Sequence, residues 1–316
     1  MAKYIQVVSL SFQTSTRFKC PTLLRSMKLL SESTIVVCSI VRDAERGLKN
    51  NIPVIKELCK RSKDYRVVIF ENDSKDATKK LLRAWMTEDR ERVHVVCSDT
   101  DGARTIPRAK DVKVNRFFCR QRIEKMARLR NQYLEYVEQN KWMGDYLIVV
   151  DLDVAQLNLA GILTSFESNM EWDAVTAFGY STSPRLKRRY HDTYALTKWG
   201  EQGIPQTEEM TIRYADELGA LKPTDDWVRI YSGFGGLAIY RFEAVKRLRY
   251  SVLPNDDLRV EVRSEHVALY KEMADCGFDH FYINPAMSLK YQVVTPKIVW
   301  NTLVRKVCEI ALRRRG

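Results

Sequence analysis

From Thr34 onward the chain alternates short apolar runs with longer stretches of helical period. "TIVVCSIV" is almost wholly apolar, the pattern of a strand buried on both faces. "NNIPVIKELCKRS" repeats its apolar residues at helical spacing, and Pro53 predicts a helix start close by, where a missing N–H costs least. "YRVVIF" predicts a second strand, "SKDATKKLLRAWM" a helix with Ser74 or Asp73 as N-cap, and "RVHVVCS" a third strand. Asp99 to Val114 is a polar, basic loop. "RFFCRQRIEKMARLRNQYLEYVEQ" predicts a long helix on which Ile123, Met126, Ala127, Arg130, Tyr133, Leu134 and Val137 share a face. An arginine therefore lies on the core side. "DYLIVV" and "WDAVTAF" follow as strands four and five.

Strands alternating with helices predict an α/β fold with a mainly parallel, Rossmann-like central sheet flanked by helices. Ligands of such sheets gather at the carboxyl ends of the strands. Three polar clusters fall there: Arg42-Asp43, Glu71-Asn72-Asp73, and Asp151 with Asp153. From Ser181 to Pro223 the pattern is polar and weakly periodic, which suits loops and short helices over a site. No linker or repeat divides the chain. The expected organisation is an N-terminal extension (1–33), one domain (34–295) with a nucleotide-binding half (34–155) and an acceptor half (156–295) carrying a smaller sheet region, and a basic amphipathic helix (296–316).

The formal charge of +12 over 316 residues favours anionic partners: nucleotide phosphates, nucleic acid or an acidic membrane surface. Seven cysteines without a C-x-x-C pair give no disulfide or zinc framework, and the N-terminus lacks the long apolar region of a signal peptide. A cytoplasmic protein is expected. Whether the C-terminal helix docks peripherally on an anionic membrane or packs on the domain stays open at this point.

Candidate chemistry centres on "DYLIVVDLDVAQL". Asp-x-Asp alone is common, and Asp99-Thr100-Asp101 is a second instance in a polar turn. Asp151 and Asp153 differ in having apolar residues on both sides, and strand alternation points both the same way. Buried carboxylates need a partner, either a metal ion or an ion pair with Arg130 or Arg122. "RIYSGFGGLAIYR" is either a glycine loop facing a ligand or a bulged strand or hairpin. Glu265-His266 opens a helix and offers acid/base or metal-supporting groups.

In order, "SIVRDAERGLKNNIPVI", "FENDSKDATKKLLRAW", "RIEKMARLRNQYL", "YLIVVDLDV", "SGFGGLAIYR", "SEHVALY" and "YINPAM" resemble the GT-A glycosyltransferases, most of all the fungal capsule-associated (cryptococcal) α-1,3-mannosyltransferase family. The resemblance implies sugar transfer from a nucleotide-diphosphate donor to a glycan or lipid-linked acceptor, with Mn²⁺ or Mg²⁺. On that pattern Asp153 binds the metal, Asp151 the ribose or a metal-bound water, and Arg42, Asp43, Glu71, Asn72 and Asp73 the nucleoside. Arg130 and Asn131 support the carboxylates or the diphosphate, and Gly235 and Gly236 face donor and acceptor. Glu265, Asp226 and Asp225 are the candidates for a catalytic base. The chain departs from the pattern by carrying Glu265-His266 where many relatives have Glu-Asp, and no late histidine after "YINP". His266 is the candidate replacement as metal ligand.

Two rival readings remain at this stage: a HAD-like Mg²⁺-dependent phosphatase, which also uses Asp-x-Asp after a strand, and a basic nucleic-acid-binding protein. The first would place its motif early in the fold. The second lacks any finger, zipper or RRM signature.

Overall fold

The structure, a computed structural model, describes residues 27–99, 111, 113–183 and 187–292. The proposed C-terminal helix and most of the N-terminal extension and the 99–114 loop lie outside the described residues. Strand β1 (Thr34–Val41), helix α1 (Glu45–Lys60), β2 (Asp64–Glu71), α2 (Thr78–Glu88), β3 (Val93–Cys97), α3 (Arg120–Gln139) and β4 (Tyr146–Val150) realise the predicted alternation. Then come α4 (Leu159–Leu163), β5 (Ala174–Thr182), β6 (Arg188–Tyr190), β7 (Thr197–Lys198), α5 (Glu208–Leu218), β8 (Val228–Ser232), β9 (Leu237–Arg241), α6 (Phe242–Val245), α7 (Glu265–Asp275) and β10 (Phe281–Lys290).

The strands form a sheet of order β3-β2-β1-β4-β9-β5-β10-β8-β7, with β6 paired to β5. The first four are mutually parallel. β9 runs antiparallel between β4 and β5, so those two point the same way, and β10 is parallel to β5. The carboxyl ends of β1, β2, β4 and β5 therefore meet along one edge. Helices cover both faces. Ile35 and Val37 join α1 and α2 in one core, while Val36 and Cys38 join α3 and α7 in the other. Burial on both sides is why "TIVVCSIV" has no polar face.

Three local expectations need correction. Pro53 sits in the middle of α1, not near its start, because the helix begins at Glu45. Ser74 and Asp73 do not cap α2, which begins at Thr78. The segment before it caps α1 instead: Asp43 N–H donates to Ser74 Oγ (2.9 Å), Ala44 N–H to Thr78 Oγ1 (2.7 Å) and Glu45 N–H to Asp76 Oδ2 (3.0 Å). Last, β8 and β9 are not a hairpin. They enter the sheet at different places, and Gly233–Gly236 is the link that carries the chain across.

Candidate active site

Two helix starts meet at the carboxyl edge. The cross-capping is reciprocal, since Lys75 N–H donates to Asp43 Oδ1 (2.8 Å) and Ala77 N–H to Glu45 Oε2 (3.3 Å). Asp43 and Asp73 take left-handed backbone (φ 49° and 55°), a conformation that aspartate tolerates and most residues avoid. Arg42 lies between them, 3.9 Å from Asp43 Oδ2 and 4.0 Å from Asp73 Oδ2. Glu71 is fully buried, with Oε1 accepting Ser74 N–H (2.7 Å) and Oε2 3.8 Å from Lys79. Arg42, Asp43, Glu71, Asn72 and Asp73 thus form one hydrogen-bonding cluster at the ends of β1 and β2.

Asp151 and Asp153 lie one strand away, but not in a strand. β4 stops at Val150 and the chain turns over residues 152–155. Nor are the two aspartates buried: Asp153 is exposed and the Asp151 side chain keeps 22 % of its surface. Alternation still sorts them, because Leu152 and Val154 enter the core and leave Asp151 and Asp153 outside it. α1 clamps this turn. Asn51 Nδ2 donates to Leu152 O (3.2 Å) and Val154 O (2.7 Å), and its Oδ1 accepts Leu157 N–H (3.0 Å). One helical turn earlier, Gly47 packs so closely that an added Cβ would lie 2.4 Å from Leu152 O. On the other side Asp151 N–H donates to Gly236 O (2.8 Å). Gly235 (φ 62°) and Gly236 (φ 89°) need glycine for their backbone, and a Cβ on Gly235 would sit 2.1 Å from Ala177 O.

Arg130, 5 % exposed, reaches this turn from α3. It lies 3.6 Å from Asp151 Oδ1, and its Nε donates to Glu265 Oε1 at 3.0 Å. Its guanidinium also rests over Phe234 of the glycine link, 4.7 Å from the ring centre. Burial works against the charge, yet Asp151, Tyr133 and Glu265 hold it well above its ordinary range. Arg122, the other proposed partner of Asp151 and Asp153, donates to Phe117 O (2.8 Å), and its charge acts on Asp192.

Four carboxylates act around this one guanidinium. Desolvation by the protein packed around its carboxylate pushes Asp151 up to about 8, against Arg130 and helped by Asp153, Asp192 and Glu265. Desolvation from the same surroundings raises Asp153. Burial and Glu265 push Asp192 up to about 7. The cluster carries more negative charge than its protein partners neutralise, and protons or a cation must supply the difference. Its hard oxygen donors suit Mg²⁺ or Mn²⁺.

Other predicted residues lie elsewhere or do other work. His266, 2 % exposed, stacks on Phe234 (4.2 Å between ring centres) with its edge toward Tyr250, and burial together with Arg130 holds it well below its ordinary range, so it is neutral. Asp151, Asp153 and His266 do not form a three-ligand group. Among the described residues the group whose ligand atoms lie within 4.8 Å of one another is Asp173, Asp279 and His280, at the amino ends of β5 and β10, on the opposite edge. Asn131 spends its amide on the Tyr250 backbone, donating to the carbonyl (2.9 Å) and accepting from the N–H (2.7 Å). Asp225 and Asp226 are exposed in the loop before β8, where Asp225 Oδ2 accepts Lys222 N–H (2.9 Å). Neither is among the charges acting most strongly on Asp151.

Three residues of the site escaped the sequence reading. Asn51 looks like an ordinary position of the predicted helix, and Gly47 lies before the start predicted for it, whereas α1 begins at Glu45 and includes both. Asp192 lay in a stretch without periodicity, and nothing in "RRYHDTYAL" marked it.

A family model described as Cryptococcal mannosyltransferase 1 matches residues 34–272. No curated protein sequence matches the chain. Among solved structures, the chain is similar to the mannosyltransferase PcManGT from Pyrobaculum calidifontis in complex with GDP-Man and Mn²⁺: 13 % identity, 86 % of this chain, 60 % of that one, TM-score 0.44. It is also similar to residues 1–349 of S. aureus TarS in complex with UDP-GlcNAc (12 %, 83 %, 60 %, 0.41) and to GalNAc-T7 with UDP, GalNAc and Mn²⁺ (11 %, 83 %, 44 %, 0.44). The chain spans about 60 % of the length of the first of these.

Proposed function

The chain belongs to the Cryptococcal mannosyltransferase 1 family, and on that premise we propose that it transfers a sugar from a nucleoside-diphosphate donor to a hydroxyl of a glycan or lipid-linked acceptor, with a divalent cation bound at Asp153 and Asp151. The observation that carries the reading is the excess of carboxylates around Arg130 at the carboxyl edge of the sheet. Neither the phosphatase nor the nucleic-acid reading gains comparable support.

In this scheme the Arg42, Asp43, Glu71, Asn72 and Asp73 cluster receives the nucleoside, supplying acceptors for ribose and base hydrogens and one guanidinium. Asp153 and Asp151 hold the cation, and the Gly235-Gly236 link, packed on Ala177 and Tyr291, holds the Asp151 backbone through Gly236 O. Bound Mn²⁺ or Mg²⁺ would supply stabilisation of the charge that develops on the departing diphosphate. Arg130 adds a fixed positive charge beside it, already oriented by Glu265 and therefore without reorganisation cost. Glu265 is committed to that ion pair and acts here as the residue that orients Arg130. Asp225 and Asp226 stand outside the cluster.

The test is diphosphate release from GDP-mannose and UDP-N-acetylglucosamine with glycan acceptors, in Mn²⁺, in Mg²⁺ and in EDTA. Release that requires the metal and falls by about a hundredfold or more in Asp153→Asn supports the reading. Release unaffected by EDTA and by that substitution would overturn it.

A further inference from the structure

Asp192 has a geometry that the fold alone does not require. It lies two residues after the end of β6, in left-handed backbone (φ 62°), and its Oδ2 accepts Gly235 N–H (3.2 Å). The next residue along, Gly236, accepts the N–H of Asp151 through its carbonyl. A path of two glycines therefore ties the Asp192 carboxylate to the Asp-x-Asp turn, from the acceptor half of the domain.

Both flanks of that carboxylate are secured. His191 N–H donates to Gly179 O (2.8 Å), and its ring lies 3.7 Å from the ring centre of Tyr291. Tyr291 closes against the glycine link, where a Cβ on Gly236 would meet its hydroxyl at 2.8 Å. Its backbone is pinned in turn by Tyr180 O and Ala155 N–H. Asp192 Oδ1, by contrast, has no hydrogen-bond donor among the described residues, and the side chain is half-buried. One oxygen is thus fixed on the loop and the other is left to a ligand.

We propose that Asp192 is the specificity residue that accepts a hydrogen bond from a hydroxyl of the donor's sugar, on the side of the diphosphate facing the acceptor half. This rests on the transferase reading of the site. A carboxylate is an acceptor only, and a sugar ring offers several donors at its rim. Left-handed backbone at a non-glycine residue is strain that persists where surrounding structure enforces it, and such strain collects at ligand sites. Three of the four described non-glycine residues with positive φ are aspartates at this edge: Asp43, Asp73 and Asp192.

The experiment is calorimetric titration of wild type, Asp192→Asn and Asp192→Gly with GDP, UDP, GDP-mannose and UDP-N-acetylglucosamine, all in Mn²⁺. Asn keeps the Gly235 hydrogen bond and tolerates the backbone, while Gly removes the side chain without strain. The expected result is an unchanged affinity for the nucleoside diphosphate and a loss of about tenfold or more for the matching nucleotide sugar, larger in the glycine variant. Equal weakening of both ligands would overturn the assignment in favour of a metal or scaffold role. Unchanged affinities with reduced turnover would overturn it in favour of an acceptor base. Wild-type protein that binds no nucleoside diphosphate would overturn the transferase reading itself, and this assignment with it.

Discussion

Replacing Asn51 by alanine tests whether α1 holds the Asp-x-Asp turn in place. Asn51 is fully buried, and its amide makes the three hydrogen bonds that fix Leu152, Val154 and Leu157. At about 0.5–1.5 kcal/mol net for each hydrogen bond, the three together predict a loss near 3 kcal/mol. The partners left behind are two carbonyls and one N–H in a dry core, where water cannot replace the amide. Urea unfolding followed by tryptophan fluorescence measures this directly, and the slope with denaturant should not change. Nucleotide binding in Mn²⁺ should weaken in the same variant under conditions where it is still fully folded, since Asp153 sits between two of the clamped residues. A loss below about 1 kcal/mol, the value of a single bond, with unaltered Mn²⁺-dependent binding would refute the clamp.

Three further outcomes follow from the geometry. Gly47→Ala should lower stability by about 1–2 kcal/mol, because the backbone contact at 2.4 Å outweighs the roughly 1 kcal/mol that alanine gains in a helix; a thermal melt showing a more stable variant would contradict the packing of α1 on the turn. Arg130→Met should cost about 3–5 kcal/mol by leaving Asp151 and Glu265 without their cation, and adding Glu265→Gln should recover part of the loss in the same melt. Asp151 and Asp192 keep their protons to higher pH in the folded state than in the unfolded one, so the metal-free protein should lose stability as pH rises from about 4 to about 8, and Mn²⁺ should reduce that loss; denaturant titrations at pH 5 and pH 8 check the sign.

The framework of the fold was legible in the hydrophobic pattern because β1, β2 and β4 are buried on both faces and α3 carries its apolar stripe regularly. The convergence of polar clusters at one edge followed from parallel topology. What escaped was set by contacts between segments far apart in sequence. Ser74 looks like a cap for the helix that follows it, yet together with Asp76 and Thr78 it caps α1, more than thirty residues earlier in the chain. Pro53 sits exposed at a helix position that local preference disfavours, and the helix is held by the packing of Leu48, Ile52 and Ile55 in the core. The two ends of "RIYSGFGGLAIYR" have the local look of a hairpin, but β9 is drawn between β4 and β5 by its all-apolar face. Asp192 becomes part of the site only through Gly235, a tertiary contact that no period or spacing encodes. Among the described residues no helix is long and apolar enough to cross a membrane.

The central claim is that Asp151 and Asp153 bind a cation together with a nucleoside diphosphate. Its most direct test is thermal unfolding of wild type and Asp153→Asn with GDP, UDP, CDP and dTDP, each with and without Mn²⁺. One diphosphate at a hundredfold over its dissociation constant should stabilise the wild type by about 2.7 kcal/mol, only with Mn²⁺, and leave Asp153→Asn unmoved. No shift with any nucleotide, or the same shift in the variant, would contradict the claim and reduce Asp151 to the ion-pair partner of Arg130.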